Sequence, residues 1–325
     1  MMIIGIDVSK AKLDALWLKD TTTGANKTKI FANTAQGHAA LIAWAQHQTQ
    51  SPPEALHFVM EATGVYNDAL AHALYQADAK VSVLNPAHVR DYAKSIGVRT
   101  KTDKKDSGVL ARYGATQQPR LWQPEPAEIR YLKALLSRYE AVNEDIQREK
   151  NRREKAEINP VSEVLTSINL VLEPLTQEKK RLERLINQHI DQHPDLKRDR
   201  EFLESIPGVG PVVSRYMLSV LRSRTFASGP QSAAFLGLVP VHHESGSSVR
   251  GHARLSKTGN ATVRAKLYMA AIVAIQHNPD IQKQYERLLK NGKTKMSALG
   301  AAMRKLVQIC FGVLKHQKPY RAQAV

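Results

Sequence analysis

The order of short apolar segments in the first third of the chain most constrains its fold. Five segments have the length and the β-branched and aromatic content of strands, and turn residues bound them. Three come before the first helical pattern, and the last two alternate with helical patterns. Strands are predicted at residues 2–7, 13–18, 27–31, 56–60 and 81–84, and helices at 36–48, 66–76 and 103–115. The order βββαβαβα therefore predicts an α/β domain built on a mixed sheet.

This order is that of a ribonuclease-H-like sheet, and it gives four acidic residues a shared location. Asp7 ends the first strand and Glu61 directly follows the fourth, which is its neighbour in such a sheet. Asp103 and Asp106 stand three residues apart at a helix start and so share one face. Four hard oxygen ligands suit Mg²⁺ or Mn²⁺, and two such ions can clamp the oxygens of a phosphodiester. We predict a metal site here, although each acid alone would be an ordinary turn or cap residue.

The first strand permits a second interpretation. Residues 4–9 also resemble the first phosphate loop of actin-like sugar kinases, which use a related sheet. Those enzymes need a second copy of the fold to close over ATP. Here a charged helical segment and a basic block follow instead, and this disfavours the kinase interpretation.

The middle of the chain reads as a charged helical arm. A proline-rich stretch at 119–126 predicts a linker, and apolar residues then repeat at three and four positions on both sides of Asn159-Pro160. Pro174 should bend the second helix. The repeat predicts a coiled-coil hairpin, which either associates with another copy or packs on its own domains. We expect domains at 1–120, 121–200 and 201–325. The apolar positions are Ile129, Leu132, Leu136, Tyr139, Val161, Val164, Ile168, Val171, Leu175, Leu182 and Leu185.

Charge is concentrated at the carboxyl end. The chain carries 47 Lys and Arg against 30 Asp and Glu, a net charge of +17. Residues 206–325 hold 18 basic and 3 acidic side chains and so supply +15 of that charge. A basic block of this kind needs a polyanion, and nucleic acid is the expected partner because binding releases its condensed counterions. A merely soluble basic protein is the simpler alternative.

Two features of this basic block could grip phosphate. Ser205–Gly210 lies between two helical patterns and resembles the hairpin of a helix-hairpin-helix, in which Gly208 and Gly210 would expose backbone amides. The loop 242–260 follows, rich in small residues and hydroxyls and predicted to be mobile, with phosphate-binding side chains at Arg250, Arg254 and Lys257.

That loop also offers a nucleophile. A serine hydroxyl reacts only when a base or metal activates it and the developing charge is offset. The cationic loop and the carboxylate-held metal could meet both needs, but the residues alone do not choose among Ser245, Ser247 and Ser248. A phosphate-gripping loop without covalent chemistry remains an equal alternative. His242, His243 and His252 could relay protons, although solvated loop histidines are the simpler interpretation.

Several motifs, in the same order along the chain, resemble the DEDD-type insertion-sequence transposases, relatives of the Piv invertases and recognised as bridge-RNA-guided recombinases. The likeness extends from about residue 3 to about residue 315. The matching pieces are Ile4-Gly-Ile-Asp7, Met60-Glu61-Ala-Thr-Gly, Asn85-Pro86, Lys101-Thr-Asp103-Lys-Lys-Asp106, Ile206-Pro-Gly-Val-Gly210 and Glu244-Ser245-Gly-Ser-Ser-Val-Arg250-Gly. Asn33 and Thr34 match as well, without an evident chemical reason.

The resemblance implies a RuvC-like nuclease domain, a coiled-coil arm and a small, mainly helical basic domain. It carries the metal ligands onto Asp7, Glu61, Asp103 and Asp106, and the nucleophile onto Ser245. It further implies a phosphoserine link to DNA, with the metal site of one protomer meeting the serine of another. A tetramer, a dimer of dimers, would act on donor and target DNA, both bound by a non-coding guide RNA. Base pairing would then read the sequence, and the protein would contact mainly shape and phosphate.

Two other functions remain open at this point. One is a RuvC-like nuclease that hydrolyses junction DNA with water, and the other is a non-catalytic RNA- or DNA-binding protein. The single cysteine, Cys310, lies in an apolar helical pattern and is expected in a core. No apolar run reaches the ~20 residues of a membrane span, and residues 1–6 lack the pattern of a signal peptide. We therefore expect no membrane partner and a cytoplasmic, nucleoid-associated protein.

Overall fold

The computed structural model describes residues 2–98, 103–241, 244–245, 249–250 and 254–322, with side chains at 2–98, 106–241 and 254–322. Within this part of the chain, the fold divides into two compact units, Met1–Pro124 and Glu125–Val325. The division falls inside the predicted proline-rich linker. The helical arm belongs to the same unit as the basic helices, and the predicted three-part division remains a prediction.

The first unit is built on a mixed sheet with five strands in the described residues. The strands are β1 (Met2–Val8), β2 (Lys12–Leu18), β3 (Asn26–Ala32), β4 (Leu56–Glu61) and β5 (Lys80–Leu84), in the spatial order β3-β2-β1-β4-β5. β1 pairs with β2 antiparallel and with β4 parallel, while β2–β3 is antiparallel and β4–β5 parallel. This is the strand order of a ribonuclease-H-like sheet, so the predicted fold of this unit is confirmed.

In the part of the first unit that the structure describes, four helices flank the sheet. They are α1 (Ala35–Thr49), α2 (Asp68–Gln76), α3 (Pro86–Ser95) and α4 (Asp103–Gln117). α1, α2 and α4 were predicted, and α1 begins where the Thr34 side chain accepts a hydrogen bond from the Gly37 amide. Sequence patterning missed α3, because Asn85-Pro86 directly after a strand predicts only the end of β5. The Asn85 side chain in fact caps the Ala87 amide, and Pro86 occupies the first helical position, where its missing N–H costs nothing.

The second unit opens with two long helices joined by a short connection. α5 (Ala127–Ile158) and α6 (Ser162–Gln192) run antiparallel, as His189 Nε2 bonds the Glu128 carbonyl oxygen at 2.8 Å and Lys179 Nζ donates to Asn143 Oδ1 at 2.6 Å. α6 continues through Pro174. The base of the predicted apolar seam packs into the core of its own unit through Ile129, Leu132 and Leu136. On α6 this core takes Ile186 and Ile190, which the predicted seam did not include, whereas the predicted Leu185 is only half-buried. Apolar side chains near the tip are exposed: Ile158, Val161, Val164, Leu170 and Val171.

The remaining helices share one core with the base of this hairpin. They are α7 (Pro194–Glu204), α8 (Pro211–Leu221), α9 (Gly229–Phe235), α10 (Ala261–His277), α11 (Pro279–Lys290) and α12 (Lys295–His316). Cys310 is fully buried there, and burial raises the pKa of its thiol to about 12, so the expected core role is confirmed. α12 is the one helix in the described chain that is long and apolar enough to cross a membrane, and half of that stretch is buried.

The described part of the predicted loop at 242–260 contains short strands. β6 (Pro240–Val241) pairs with β9 (Arg254–Leu255), and β7 (Glu244–Ser245) pairs with β8 (Val249–Arg250), both antiparallel. The sequence predicted no strands here, since segments of two residues are too short to show an alternating pattern.

Candidate metal and serine sites

Asp7 and Glu61 occupy equivalent positions on two neighbouring parallel strands. The register pairs Ile6 with Met60, so the two acids are the next residues on β1 and β4. Strand alternation then puts them on one face. Ile4 and Ile6 pack in the core on one side of the sheet, whereas the residues in phase with the acids, Ile3 and Val59, pack against α4 on the other.

α4 crosses this same face with its first turn toward the acids. A Cβ on Gly5 would overlap the Ser107 carbonyl oxygen and lie 2.5 Å from the Ala111 amide nitrogen, so β1 and α4 meet backbone to backbone there. Further along, a Cβ on Gly114 would lie 2.6 Å from Val59 Cγ2. Because the N-terminal part of α4 contacts the C-terminal part of β1, the helix runs antiparallel to β1. The first turn, with Asp103 and Asp106, therefore lies toward Asp7.

The described carboxylates are of the ligand type that Mg²⁺ and Mn²⁺ prefer, and the backbones of Asp7 and Glu61 lie at the ends of neighbouring strands, at one sheet edge. Asp7, Glu61 and Asp106 are half-buried, and each has an interaction partner. Among the described side chains, no group of three or more His, Cys, Asp or Glu is close enough to hold a metal ion. For Asp103, the structure describes only the backbone. The four-ligand set consequently remains a prediction, supported by the register of β1 and β4 and the direction of α4.

A further carboxylate lies beside the predicted set. Asp14 on β2 is the register partner of Asp7, and the pair across antiparallel strands faces the same side of the sheet. The Asp14 side chain is 13% exposed and forms an ion pair with Lys12, with Nζ 3.1 Å from Oδ2. Sequence reasoning missed Asp14, although the alternation of Leu13, Ala15 and Leu16 around it could have placed it on this face.

The serine loop is described mainly at its base. Ser245 lies on β7 with Val249 as its register partner, and Glu244 pairs with Arg250. The side chains of Ser245 and Arg250, together with His242, His243, Ser247, Ser248 and His252, lie outside the described residues. Arg254 pairs with Val241 on the other ladder and is exposed.

The base of the loop is fixed to the end of α9. Lys257 takes a left-handed backbone, φ 57°, and its amide donates to the Gly237 carbonyl oxygen at 3.2 Å. A Cβ on Gly237 would overlap the carbonyl oxygen of Thr258, so the segments are in backbone contact. Arg264 Nη1 donates to the carbonyl oxygens of Thr258 and Gly259, at 2.7 and 3.1 Å. Sequence reasoning missed this role of Arg264, because nothing in a helix-start arginine marks its target.

The two hairpin glycines have different surroundings. α7 and α8 flank Ser205–Gly210, as the pattern predicted. Gly208 has φ +99°, and a Cβ there would lie 2.7 Å from Ala274 Cβ, so this glycine lets the hairpin pack on α10. A Cβ on Gly210, before the first turn of α8, would meet no described atom within 4 Å. Of the two, Gly210 has the open backbone that a phosphate would need.

Two transposase family models match the chain. That of the DEDD-type IS110 transposases covers residues 4–156, and that of the transposase IS116/IS110/IS902 family covers residues 200–286. The pilin gene-inverting proteins of Moraxella lacunata and Moraxella bovis are each 36% identical over 321 residues, 98% of this chain and 97% of the relative. The transposase for IS1111A of Coxiella burnetii is 27% identical over 278 residues, 74% of this chain and 73% of that protein.

Among solved structures, T. thermophilus RuvC in complex with a Holliday junction substrate is similar at 12% identity. The match covers 38% of this chain and 99% of RuvC, with a TM-score of 0.27.

Proposed function

Because the chain belongs to the IS116/IS110/IS902 family of transposases, we propose that it cuts and rejoins DNA strands at an insertion sequence through the serine nucleophile Ser245. Asp7, Glu61, Asp103 and Asp106 would hold Mg²⁺ or Mn²⁺. The observation that carries the proposal is the equivalent position of Asp7 and Glu61 on parallel strands, with the first turn of α4 directed toward them. The bound metal would lower the cost of charge on the reacting phosphate oxygens.

The serine loop would supply the nucleophile, and the carboxylate site would supply the metal. The Ser245 hydroxyl attacks phosphorus and loses its proton, and the leaving strand departs as a hydroxyl. The phosphodiester energy is kept in the serine–phosphate link, so a second strand can attack it and rejoin the DNA. Arg250, Arg254 and Lys257 would hold phosphates near the serine. We propose that the metal site and the serine of one reaction come from different protomers of a tetramer, a dimer of dimers.

We also propose that a non-coding guide RNA selects both the donor and the target DNA. The charge pattern supports this part, because the basic block 206–325 fits phosphate contacts that carry no sequence information. Gly210 would add a backbone contact to phosphate at the start of α8. Such a protein would act in the cytoplasm, at the nucleoid.

The test is to trap the covalent protein–DNA adduct with a suicide substrate and to identify the linked residue by mass spectrometry. Wild type should give an adduct at Ser245, and Ser245→Ala should give none. Ser247→Ala and Ser248→Ala are the matched controls and should keep it. An adduct that survives Ser245→Ala would sink the nucleophile assignment. Cleavage that continues without any protein–DNA link would favour the second candidate, a RuvC-like nuclease that uses water.

A further inference from the structure

Asn33 joins the two loops that follow the acidic strands. Its Nδ2 donates to the Ser9 carbonyl oxygen at 2.9 Å and to the Tyr66 carbonyl oxygen at 3.0 Å. Ser9 comes two residues after Asp7, and Tyr66 five residues after Glu61. One side-chain amide, placed between β3 and α1, thus bonds to both loops beside the proposed metal ligands. We propose that Asn33 is a positioning residue that holds Asp7 and Glu61 in register for the metal, and this inference rests on the proposed function.

The other side of the amide is fixed by His38. Asn33 Oδ1 lies 2.8 Å from His38 Nε2. Because both N–H groups of the amide donate to carbonyls, Oδ1 must accept, and His38 donates from Nε2. His38 is 4% exposed, and burial lowers its pKa, so the neutral ring is the resident form at pH 7. Each polar atom of the Asn33 side chain is therefore engaged.

Hydrogen bonds within the loop after β4 connect Tyr66, whose carbonyl accepts from Asn33, to Glu61. The Tyr66 amide donates to the Thr63 carbonyl oxygen at 3.1 Å, and Thr63 Oγ1 donates to the Glu61 carbonyl oxygen at 3.2 Å. The buried Asn67 accepts from the Thr63 amide at 3.0 Å and stiffens the same turn. Partners outside the ligand shell commonly tune metal affinity by 10–100-fold because they orient the ligands.

The test is a Mn²⁺ titration of the full chain by electron paramagnetic resonance, with thermal unfolding measured in parallel. Asn33→Ala should weaken Mn²⁺ binding at least about tenfold. Asn26→Ala is the matched control, since it removes an amide bond to the Gly24 carbonyl at the far end of β3, and it should bind as wild type does. His38→Gln, which keeps a donor, should retain affinity, whereas His38→Leu should lose part of it.

The outcomes separate this inference from the proposed function. If Asp7→Asn loses Mn²⁺ but Asn33→Ala and His38→Leu bind like wild type, the positioning role is wrong and the metal site stands. If Asn33→Ala does not fold, the Mn²⁺ affinity of His38→Leu decides: a loss supports the positioning role, and wild-type affinity contradicts it. If wild type shows no Asp7-dependent Mn²⁺ binding, both ideas fail together.

A groove in the second unit supports an independent proposal. It has a volume of about 630 Å³ and lies between α12, the start of α11 and residues 318–321. Lys305, His316, Lys318 and Arg321 line it, with Asp280 as the acidic member. The segment beyond α12 is held in place, because the Tyr320 amide donates to Ser205 Oγ at 2.8 Å and the Tyr320 hydroxyl donates to Asp280 Oδ2 at 2.8 Å.

A glycine without a packing role lies in the wall of this groove. Gly312 is in the interior of α12, where glycine disfavours the helix. A Cβ there would meet no described atom within 4 Å, so no neighbour in the described chain explains the missing side chain. A ligand backbone that approached α12 closely at this position would account for a glycine there. We infer that the groove binds the sugar-phosphate backbone of a nucleic acid strand, a contact separate from the serine loop.

Fluorescence anisotropy with labelled DNA and RNA strands of one sequence, about 20 nucleotides long so that they exceed common single-strand site sizes, tests the groove. Gly312→Gln should raise the thermal stability of α12 while weakening binding about tenfold, because the new side chain fills the groove. Lys305→Ala and Lys318→Ala should weaken binding more than Lys290→Ala, an exposed control outside the groove. The probe that loses more affinity identifies the strand type. Wild-type affinity in Gly312→Gln would overturn the proposal, as would equal losses in Lys305→Ala and Lys290→Ala.

Discussion

Single residues decide how closely α4 approaches the sheet and so where the acids lie. Gly5 is required because β1 and the Ser107–Ala111 turn of α4 are in backbone contact. Gly108, on the same helix, has only an ordinary contact, with Leu16 Cδ1 3.5 Å from a Cβ built there. The two glycines therefore allow a matched test.

Gly5→Ala should reduce the free energy of unfolding by about 3 kcal/mol, because backbone atoms cannot yield to the added Cβ. Gly108→Ala should leave it unchanged or raise it by up to about 1 kcal/mol, through helix propensity. Urea denaturation of both variants measures the difference. Equal stability of the two would mean that β1 and α4 are not in close backbone contact.

Sequence patterning predicted the residues whose position follows from strand order. Asp7 and Glu61 could be placed at one sheet edge because parallel strands end together. Asp14 does not end a parallel strand, so this rule does not find it, and only the alternation within β2 places it on the face of Asp7. Asn33 matches the family resemblance, but its role could not be predicted from the sequence. Its partners are backbone carbonyls in loops 24 and 33 residues away, and no local pattern indicates them.

At the scale of elements, buried polar contacts hold β4 against β5 and α7 against the end of α8. His57 on β4 is 3% exposed, and its Nε2 lies 2.9 Å from Ser82 Oγ on β5. Burial, and then the charge of Lys80, lower the pKa of His57 from 6.5 to about 4. In the second unit, Asp199 is fully buried and pairs with Arg222, which joins α7 to the end of α8.

The His57 contact predicts a pH dependence of stability. Because the folded pKa lies below the unfolded value, protons bind preferentially to the unfolded chain. The stabilisation is complete above pH 6.5 and is lost as the pH falls toward 4. Between pH 7 and pH 4, wild type should lose about 3 kcal/mol more than His57→Gln, by urea denaturation at each pH. Parallel losses in both proteins would show that His57 titrates normally.

The hairpin between α7 and α8 gives a second prediction at this scale. Gly208→Ala should destabilise the second unit by about 2 kcal/mol, since φ is positive and Ala274 leaves no room for a Cβ. Gly210→Ala should be neutral for folding. A larger residue, Gly210→Leu, should keep the melting temperature but weaken binding to duplex DNA. Unchanged DNA affinity in Gly210→Leu would remove the hairpin from the nucleic-acid surface.

At the scale of the molecule, the proposed metal ligands belong to the first unit, and the basic block 206–325 belongs to the second. The strand order of the first unit was predictable from apolar periodicity, whereas the short ladders around Ser245 were not, because pairs of two residues leave no pattern. The seam of the arm was ambiguous for a physical reason. Its base packs in its own core while its tip exposes apolar side chains, so both interpretations describe part of it.

The excess of basic residues in the block 206–325 predicts a strong salt dependence of nucleic-acid binding. Arg254→Ala and Lys257→Ala should each reduce the slope of log K against log salt by about one, because each would release the counterions of one phosphate. Lys150→Ala, exposed on α5, should leave the slope unchanged. Filter binding over about 50 to 200 mM salt measures the slope. Equal slopes in all proteins would exclude the serine loop from phosphate binding.

In the proposed mechanism, the carboxylates at the ends of β1 and β4 act in the same reaction as Ser245. This is tested by the single-turnover rate of Ser245–DNA adduct formation, with Mg²⁺ present, in wild type, Asp7→Asn, Glu61→Gln and the neighbouring Asp14→Asn. We expect Asp7→Asn and Glu61→Gln each to slow adduct formation at least about 100-fold. This is the order of magnitude of the rate lost when one electrostatic contact to a transition state is removed. Asp14→Asn should slow adduct formation less. Adduct formation at the wild-type rate in Asp7→Asn would show that the serine reacts without the metal site.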